Sequence, residues 1–535
     1  MTSIKKISAI ELRNKIFQNS EFSLLDVRDG GVHARDGHIL RSLSLPLGIF
    51  EIKLADLIPL TNTEIIVYDE GNEALATKAI SLLNKLGYLN VYLLEGGTAS
   101  WKSAGYFLFT GVHVIGKAFG EVVEEHYHTP YISVNDFHKR RNAGENIALI
   151  DIRTQKEYLE MSIDGAQILP GAEAVYRFHE LIKDPETQVV VHCAGRTRSI
   201  IAAQALINAG IPNPVSALAN GTMDWLIEGY ETTKGKLSTL PLPSGRTLAK
   251  AEDSTRILTS RFELKYIDFN TLKSFQKEHL NGERSLYLLD VRTQNEYENG
   301  HLPGSRWAPG GQLVQQVSDW VGTQHSRIVL IDEPDNPRAA ITASWLKQLN
   351  WAEVFILQNA LSGSIEVGKS PVRIPAAIPE SNYIDANQLN TNIIQDDIII
   401  LDIAPSIQYR AGHIPSSRYV LRSQLLNALS SIPSDKSVVL TSTDGILASF
   451  AAAEASEAGF KFISVLQGGT DSWVKAGFQL SQTPSDSSHE YLDVWSSPYK
   501  TEDPYRAFRE YLDWELGLIE QLKIDGTARF NFPAL

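Results

Sequence analysis

One short phrase recurs four times along the chain: LLDVRDG at 24–30, LIDIRTQ at 149–155, LLDVRTQ at 288–294 and ILDIAPS at 400–406. Each is an apolar run, then Asp, then a turn. A second phrase follows three of them, DGHILRS (36–42), NGHLPGS (299–305) and AGHIPSS (411–417), with EMSIDGA (160–166) as a degraded version. A third is a short aliphatic run: EIIVYD (64–69), QVVVHC (188–193), RIVLID (327–332) and SVVLTS (437–442). A fourth closes the unit as EGGTASWKSAGY (95–106), NGTMDWLIEGY (220–230) and QGGTDSWVKAGF (467–478), and has decayed to QNALSGS (358–364) in the third unit.

The spacing is as regular as the wording. From the early Asp to the residue that ends the aliphatic run is 43, 42, 42 and 40 residues, and from there to the Trp is 32, 32 and 31 in the three units that keep it. Self-similarity at a fixed period is the signature of a tandem array. The chain therefore reads as four domains, 1–108, 128–236, 263–370 and 380–482, followed by a C-terminal segment at 487–535. Linkers are expected near 108–128, 236–262, 371–380 and 480–487, where Pro, Ser, Thr and Gly concentrate.

Within each unit, aliphatic runs of four to six residues alternate with helical stretches such as LATKAISLLNKLG (75–87) and SIIAAQALINAG (199–210). Short, wholly apolar strands between helices imply parallel strands covered on both faces. The expected class is α/β, each domain a small parallel sheet flanked by helices. In the C-terminal segment, Asp503-Pro504 is an N-cap and first-turn pair. Phe508, Tyr511, Leu512, Leu516, Ile519 and Leu522 form an apolar stripe, and Gly526 ends the helix. The expectation is a helical tail docked on the domains.

Charge and cysteine content narrow the function. The balance of 49 Lys+Arg against 63 Asp+Glu, a net of −14, repels polyanions and argues against nucleic acid or an anionic membrane as partner. No apolar run reaches the roughly 20 residues of a membrane helix. The N-terminus MTSIKKISAIELRNKIF has no signal-peptide pattern, so the expected compartment is the cytoplasm. The single cysteine, Cys193, excludes an intramolecular disulfide, a cysteine zinc site and an iron–sulfur cluster. Neither a metal nor a cofactor is expected; the cluster Glu124, Glu125, His126 and His128 reads as solvated linker.

Cys193 ends an aliphatic strand and is followed by Ala194, Gly195, Arg196, Thr197, Arg198 and Ser199, then by a helix. In open α/β sheets ligands bind beyond the carboxyl ends of the strands. Helix N-termini and neighbouring guanidinium groups favour a thiolate. Gly195 permits a tight curl in which successive backbone N–H groups converge on an anion, and Arg196 and Arg198 can attract an anionic donor. Asp151 and Arg153 read as an ordering ion pair, and His192 should point away from Cys193 because side chains alternate along a strand.

These phrases, in this order, resemble the rhodanese family of sulfurtransferases over about 430 residues, and the layout resembles bacterial four-domain rhodaneses with one active cysteine. The resemblance implies a thiosulfate sulfurtransferase with covalent catalysis and ping-pong kinetics. Cys193 takes sulfane sulfur from an anionic donor such as thiosulfate as a persulfide and passes it to cyanide or a thiol. The six-residue loop is that of sulfur-transferring members; the related phosphatases use Cys-x5-Arg, and here Ser199 stands sixth. Two arginines in the loop favour thiosulfate over mercaptopyruvate. Arg177 is a candidate donor anchor. Asp69, Asp332 and Ser442 occupy the cysteine position elsewhere, so those three domains are expected to be silent. Met161-Ser162 replaces the usual Gly-His in the active unit. A different reading, a persulfide carrier or scaffold that binds partners without turnover, stays open; the oligomeric state is not readable.

Overall fold

The computed structural model describes residues 4–236, 241–395, 398–433, 436–483 and 491–534. The expected linkers at 236–262 and 480–487, and the start of the C-terminal segment at 487, lie partly outside them.

Each repeat builds one five-stranded parallel sheet with helices on both faces. In the second repeat the strands are Tyr131–Ile132, Ile147–Asp151, Gln167–Ile168, Gln188–His192 and Val215–Leu218. Their spatial order, numbered along this repeat, is 1-5-4-2-3, and the other three sheets share it. Gln188–His192 lies at the centre, paired on one side with Ile147–Asp151 and on the other with Val215–Leu218. Its Val189, Val190 and Val191 are fully buried, as β-branched side chains on a two-sided sheet should be. Burying one such side chain contributes about 1.5–3 kcal/mol before chain entropy is counted.

The closing Trp has the same place in the three repeats that keep it. Trp101, Trp225 and Trp473 are buried, and each donates its indole N–H to a carbonyl six residues later, on Phe107, Glu231 and Gln479. Buried Trp needs such a partner.

The chain forms two compact bodies. One contains the first and fourth repeats, with Arg422 of the fourth paired to Glu51 of the first at 2.6 and 2.7 Å, both buried. The other contains the second and third repeats together with residues from 497 onward.

Two expectations need correction. The segment 108–128, expected as a linker, lies between the first two repeats but is not irregular: Val114–Tyr127 is a 14-residue helix, buried over most of its length. Gly116 and Gly120 give close approach within it; a Cβ on Gly120 would lie 2.7 Å from Thr197 Cγ2. The tail is helical and docked, but as two helices, Pro504–Leu516 and Leu518–Asp525. Leu516 is exposed because Glu515 takes the inward position of that turn. No described helix is long and apolar enough to cross a membrane.

Candidate active site

The central strand of the second repeat delivers Cys193 to the carboxyl edge of the sheet, and the helix Thr197–Asn208 begins four residues later. Cys193 is 2% exposed. Its Sγ lies 3.5 Å from Ser199 Oγ, and the Ser199 hydroxyl donates to the Arg196 carbonyl at 2.8 Å. The fourth sequence phrase holds this loop from behind. Thr222 N–H donates to the Cys193 carbonyl at 3.0 Å and Met223 N–H to the Ala194 carbonyl at 2.9 Å. Gly221, at φ +55°, is required here, since any Cβ would collide with the Cys193 carbonyl.

Beneath the loop, Arg153 donates to Asp151 at 3.0 and 2.7 Å and to the Met161 carbonyl at 2.5 Å. Arg292 makes the same contact with the Gly300 carbonyl in the third repeat. In the departing phrase Ser162 donates to Asp151 at 2.7 Å. Burial alone would raise the Asp151 carboxyl; His192, Arg153 and Ser162 outweigh it and hold it at about 2. His192 Nε2 faces Asp151 Oδ2 at 3.5 Å, and burial lowers the imidazole to about 4, so it is neutral at pH 7.

The loop arginines already have partners. Arg196 donates to Glu121 at 2.8–3.1 Å, to Glu124, and to Asn220 Oδ1 at 3.2 Å. Arg198 donates from both terminal nitrogens to Glu157 at 2.9 and 2.7 Å. Burial pushes Glu121 up to about 7 against the pull of Arg196. Burial would also raise Glu157, yet Arg198 and Thr154 bring it down to about 2. Arg198 sits close enough to feel Cys193 electrostatically.

Arg177 is placed elsewhere. Its guanidinium is buried on Glu173, with the Pro241 carbonyl at 2.9 Å and Glu296 at 3.5 Å, in a cluster with Arg338 where the second repeat meets the third. These carboxylates, rather than an incoming donor, compensate its charge, because its helix faces the neighbouring repeat.

The residues that sequence reasoning missed come from distant segments. Tyr499 shares a 2.7 Å hydrogen bond with Thr222 Oγ1 and donates to the Ala194 carbonyl at 3.4 Å. Met223, Phe508 and Leu512 form a buried apolar cluster beside it. Glu515, 1% exposed, accepts from Tyr511 at 2.8 Å and from Thr197 at 3.2 Å, and its Oε2 has no hydrogen-bond partner among the described residues. A Cβ on Gly195 would lie 3.1 Å from that oxygen and 3.3 Å from Tyr511 Cε1. The Lys117 ammonium stands 4.8 and 4.7 Å from the Tyr511 and Trp514 ring centres, and burial lowers it to about 8. Phe508, Tyr511 and Leu512 had a signal as part of the apolar stripe, and Glu157 had a local one, as the third position after the capping residue Thr154.

The equivalent loops reveal what the backbone offers. Asp69 accepts from the N–H groups of Gly71, Glu73 and Ala76 at 2.8–3.2 Å. Asp332 accepts from those of Glu333, Arg338 and Ala339 at 2.8–3.0 Å, and Ser442 from that of Ala448 at 3.3 Å. The turn is an anion-binding nest filled by a side chain of its own.

A family model for the rhodanese-like domain matches residues 8–104, 133–228, 272–364 and 385–476. The crystal structure of a thiosulfate sulfurtransferase from Pseudomonas aeruginosa superimposes with a TM-score of 0.93 at 40% identity, covering 99% of each chain. A probable 3-mercaptopyruvate sulfurtransferase from the same organism is 26% identical over 194 residues, 31% of this chain and 66% of that protein. A putative sulfur carrier protein of Bacillus subtilis is 29% identical over 96 residues, 18% of this chain and 50% of that protein. The matched stretches thus span less than two thirds of these two curated relatives.

Proposed function

The chain belongs to the rhodanese family of sulfurtransferases, and on that premise we propose that it moves sulfane sulfur from thiosulfate or a similar anionic donor to cyanide or a thiol through a persulfide on Cys193. The observation that carries the reading is the position of the chain's one thiol. It stands at the position where the other three repeats carry Asp69, Asp332 or Ser442, whose side chains accept backbone N–H groups of the equivalent loop.

The Cys193 thiolate attacks the outer sulfur of thiosulfate. A Cys193 S–S bond forms, the S–S bond of the donor breaks with its electron pair, and sulfite leaves. The terminal sulfur remains on Cys193 as an anionic persulfide. Cyanide or a thiolate then attacks that sulfur, the pair of the Cys193 S–S bond returns to Sγ, and thiocyanate or a new persulfide departs. The loop N–H groups hold the sulfur anion through both halves. Arg196 and Arg198, tied to carboxylates, act as fixed dipoles around it. A carboxylate or hydroxyl cannot hold transferable sulfur, so the other three repeats are silent supports. The cytoplasm, where thiol acceptors are kept reduced, is the compartment we propose for the reaction.

Incubation with thiosulfate, followed by intact mass measurement, should find one added sulfur in the wild type and none in Cys193→Ser. No adduct with thiosulfate, mercaptopyruvate or glutathione persulfide would overturn the reading. The near-complete burial of Cys193 favours a second possibility, a carrier that loads without turnover. Steady-state release to cyanide or a thiol separates the two.

A further inference from the structure

The segment that closes over the Cys193 loop comes from the far end of the chain. Thr197 and Glu515, 318 residues apart, are joined at 3.2 Å. Tyr499 ties to Thr222 and Ala194, Tyr511 and Glu515 crowd Gly195 so closely that an added methyl group would meet them at 3.3 and 3.1 Å, and Phe508 and Leu512 anchor the helix in the cluster with Met223.

From this roof we infer that Tyr499 and Tyr511 determine acceptor specificity, admitting small nucleophiles to the Cys193 persulfide and excluding bulky thiols and protein thiols. This deepens the proposed sulfur transfer and rests on it. The steric argument is direct. The sulfane sulfur extends about 2 Å beyond Sγ, and in-line attack needs the acceptor sulfur or carbon to approach to about 3–3.5 Å along the S–S axis. Cys193 is 2% exposed, and the two tyrosine rings with Leu512 cover its loop. An acceptor of few atoms fits such a gap, whereas a cysteine on a folded protein brings backbone and neighbours that collide with the roof.

The test is a ratio. Persulfide-loaded protein is discharged with cyanide and with reduced thioredoxin, and kcat/KM is measured for each. Tyr511→Ala should raise the thioredoxin-to-cyanide ratio by roughly tenfold or more, the size of effect a pocket wall supplies, and Tyr511→Phe, which keeps the ring, should return it to the wild-type value. An unchanged ratio in Tyr511→Ala would overturn the inference. If that variant misfolds, native protein answers by labelling: iodoacetamide should modify Cys193 while a polymer-linked maleimide should not, and equal labelling by both would overturn it. Intact mass after thiosulfate monitors the underlying reaction, so that failure to load the sulfur is seen separately from failure of the roof to discriminate.

Discussion

Glu157 takes both terminal nitrogens of Arg198, at 2.7 and 2.9 Å, while its Oε2 also closes the capping box on Thr154. One carboxylate therefore starts a helix and fixes a loop arginine beside Cys193. Arg198→Ala should weaken thiosulfate use several-fold in kcat/KM and also lower stability, by roughly 1–2 kcal/mol once the partial exposure of Glu157 is allowed for. Adding Glu157→Gln should recover much of the stability, since no unpaired charge remains, without recovering thiosulfate use. Stopped-flow loading and thermal melting of the two variants separate these contributions. Full kinetic recovery in the double variant would remove Arg198 from donor handling.

Gly195 is confined by the tail rather than by its own backbone. In Gly195→Ala the new methyl group meets Glu515 Oε2 at 3.1 Å and Tyr511 at 3.3 Å, so these side chains of the helix Pro504–Leu516 must give by a few tenths of an ångström. The expected result is a lower melting temperature and faster alkylation of Cys193 by iodoacetamide. An alkylation rate equal to that of the wild type would mean that this helix does not shield the thiol.

Asp69 replaces the cysteine of the first repeat with an acceptor for three backbone N–H groups. Asp69→Ala strands those donors and should destabilise the first repeat by about 1–3 kcal/mol, with faster amide exchange at Gly71, Glu73 and Ala76. Sulfur loading at Cys193 should be unaffected. Unchanged exchange at those amides would show that water replaces the carboxylate without loss.

Asp402 of the fourth repeat lacks the arginine found at the corresponding place in the other three, where Ala404 now stands. It accepts from Ala404 N–H at 2.9 Å and is buried, and burial pushes it up to about 7. Its unfolded value is about 3.9, so the folded protein holds the proton more tightly. The resulting stabilisation is fully present below about pH 4, falls as pH rises, and is gone above the folded value near 7. Over that window the change is on the order of 4 kcal/mol. Asp402→Asn should flatten this slope, as denaturant melts between pH 4.5 and 8 would record; parallel pH curves for the two proteins would contradict it.

The repeat, its α/β class and the place of Cys193 were all legible in the sequence, because they depend on local pattern. An apolar run of four or five residues must be buried on both faces, and a turn after it must lie at the carboxyl edge of the sheet. The Trp positions and the residues Asp69, Asp332 and Ser442 at the cysteine position follow from the same period. The helix within the linker 108–128 was not legible, because its burial rests on close contacts with Thr197 and Gln315 that no local pattern shows.

What surrounds Cys193 was decided by tertiary structure alone. Arg196 meets Glu121 across 75 positions and Thr197 meets Glu515 across 318. No spacing rule reaches that far, since the chain path between such pairs is set by how whole repeats and the tail pack. The sequence therefore determined that one thiol would sit at the end of one strand with two arginines in its loop. Only the fold decided that those arginines would be matched by carboxylates and that two tyrosines from the far end of the chain would roof the sulfur, because charge compensation and access depend on neighbours in space.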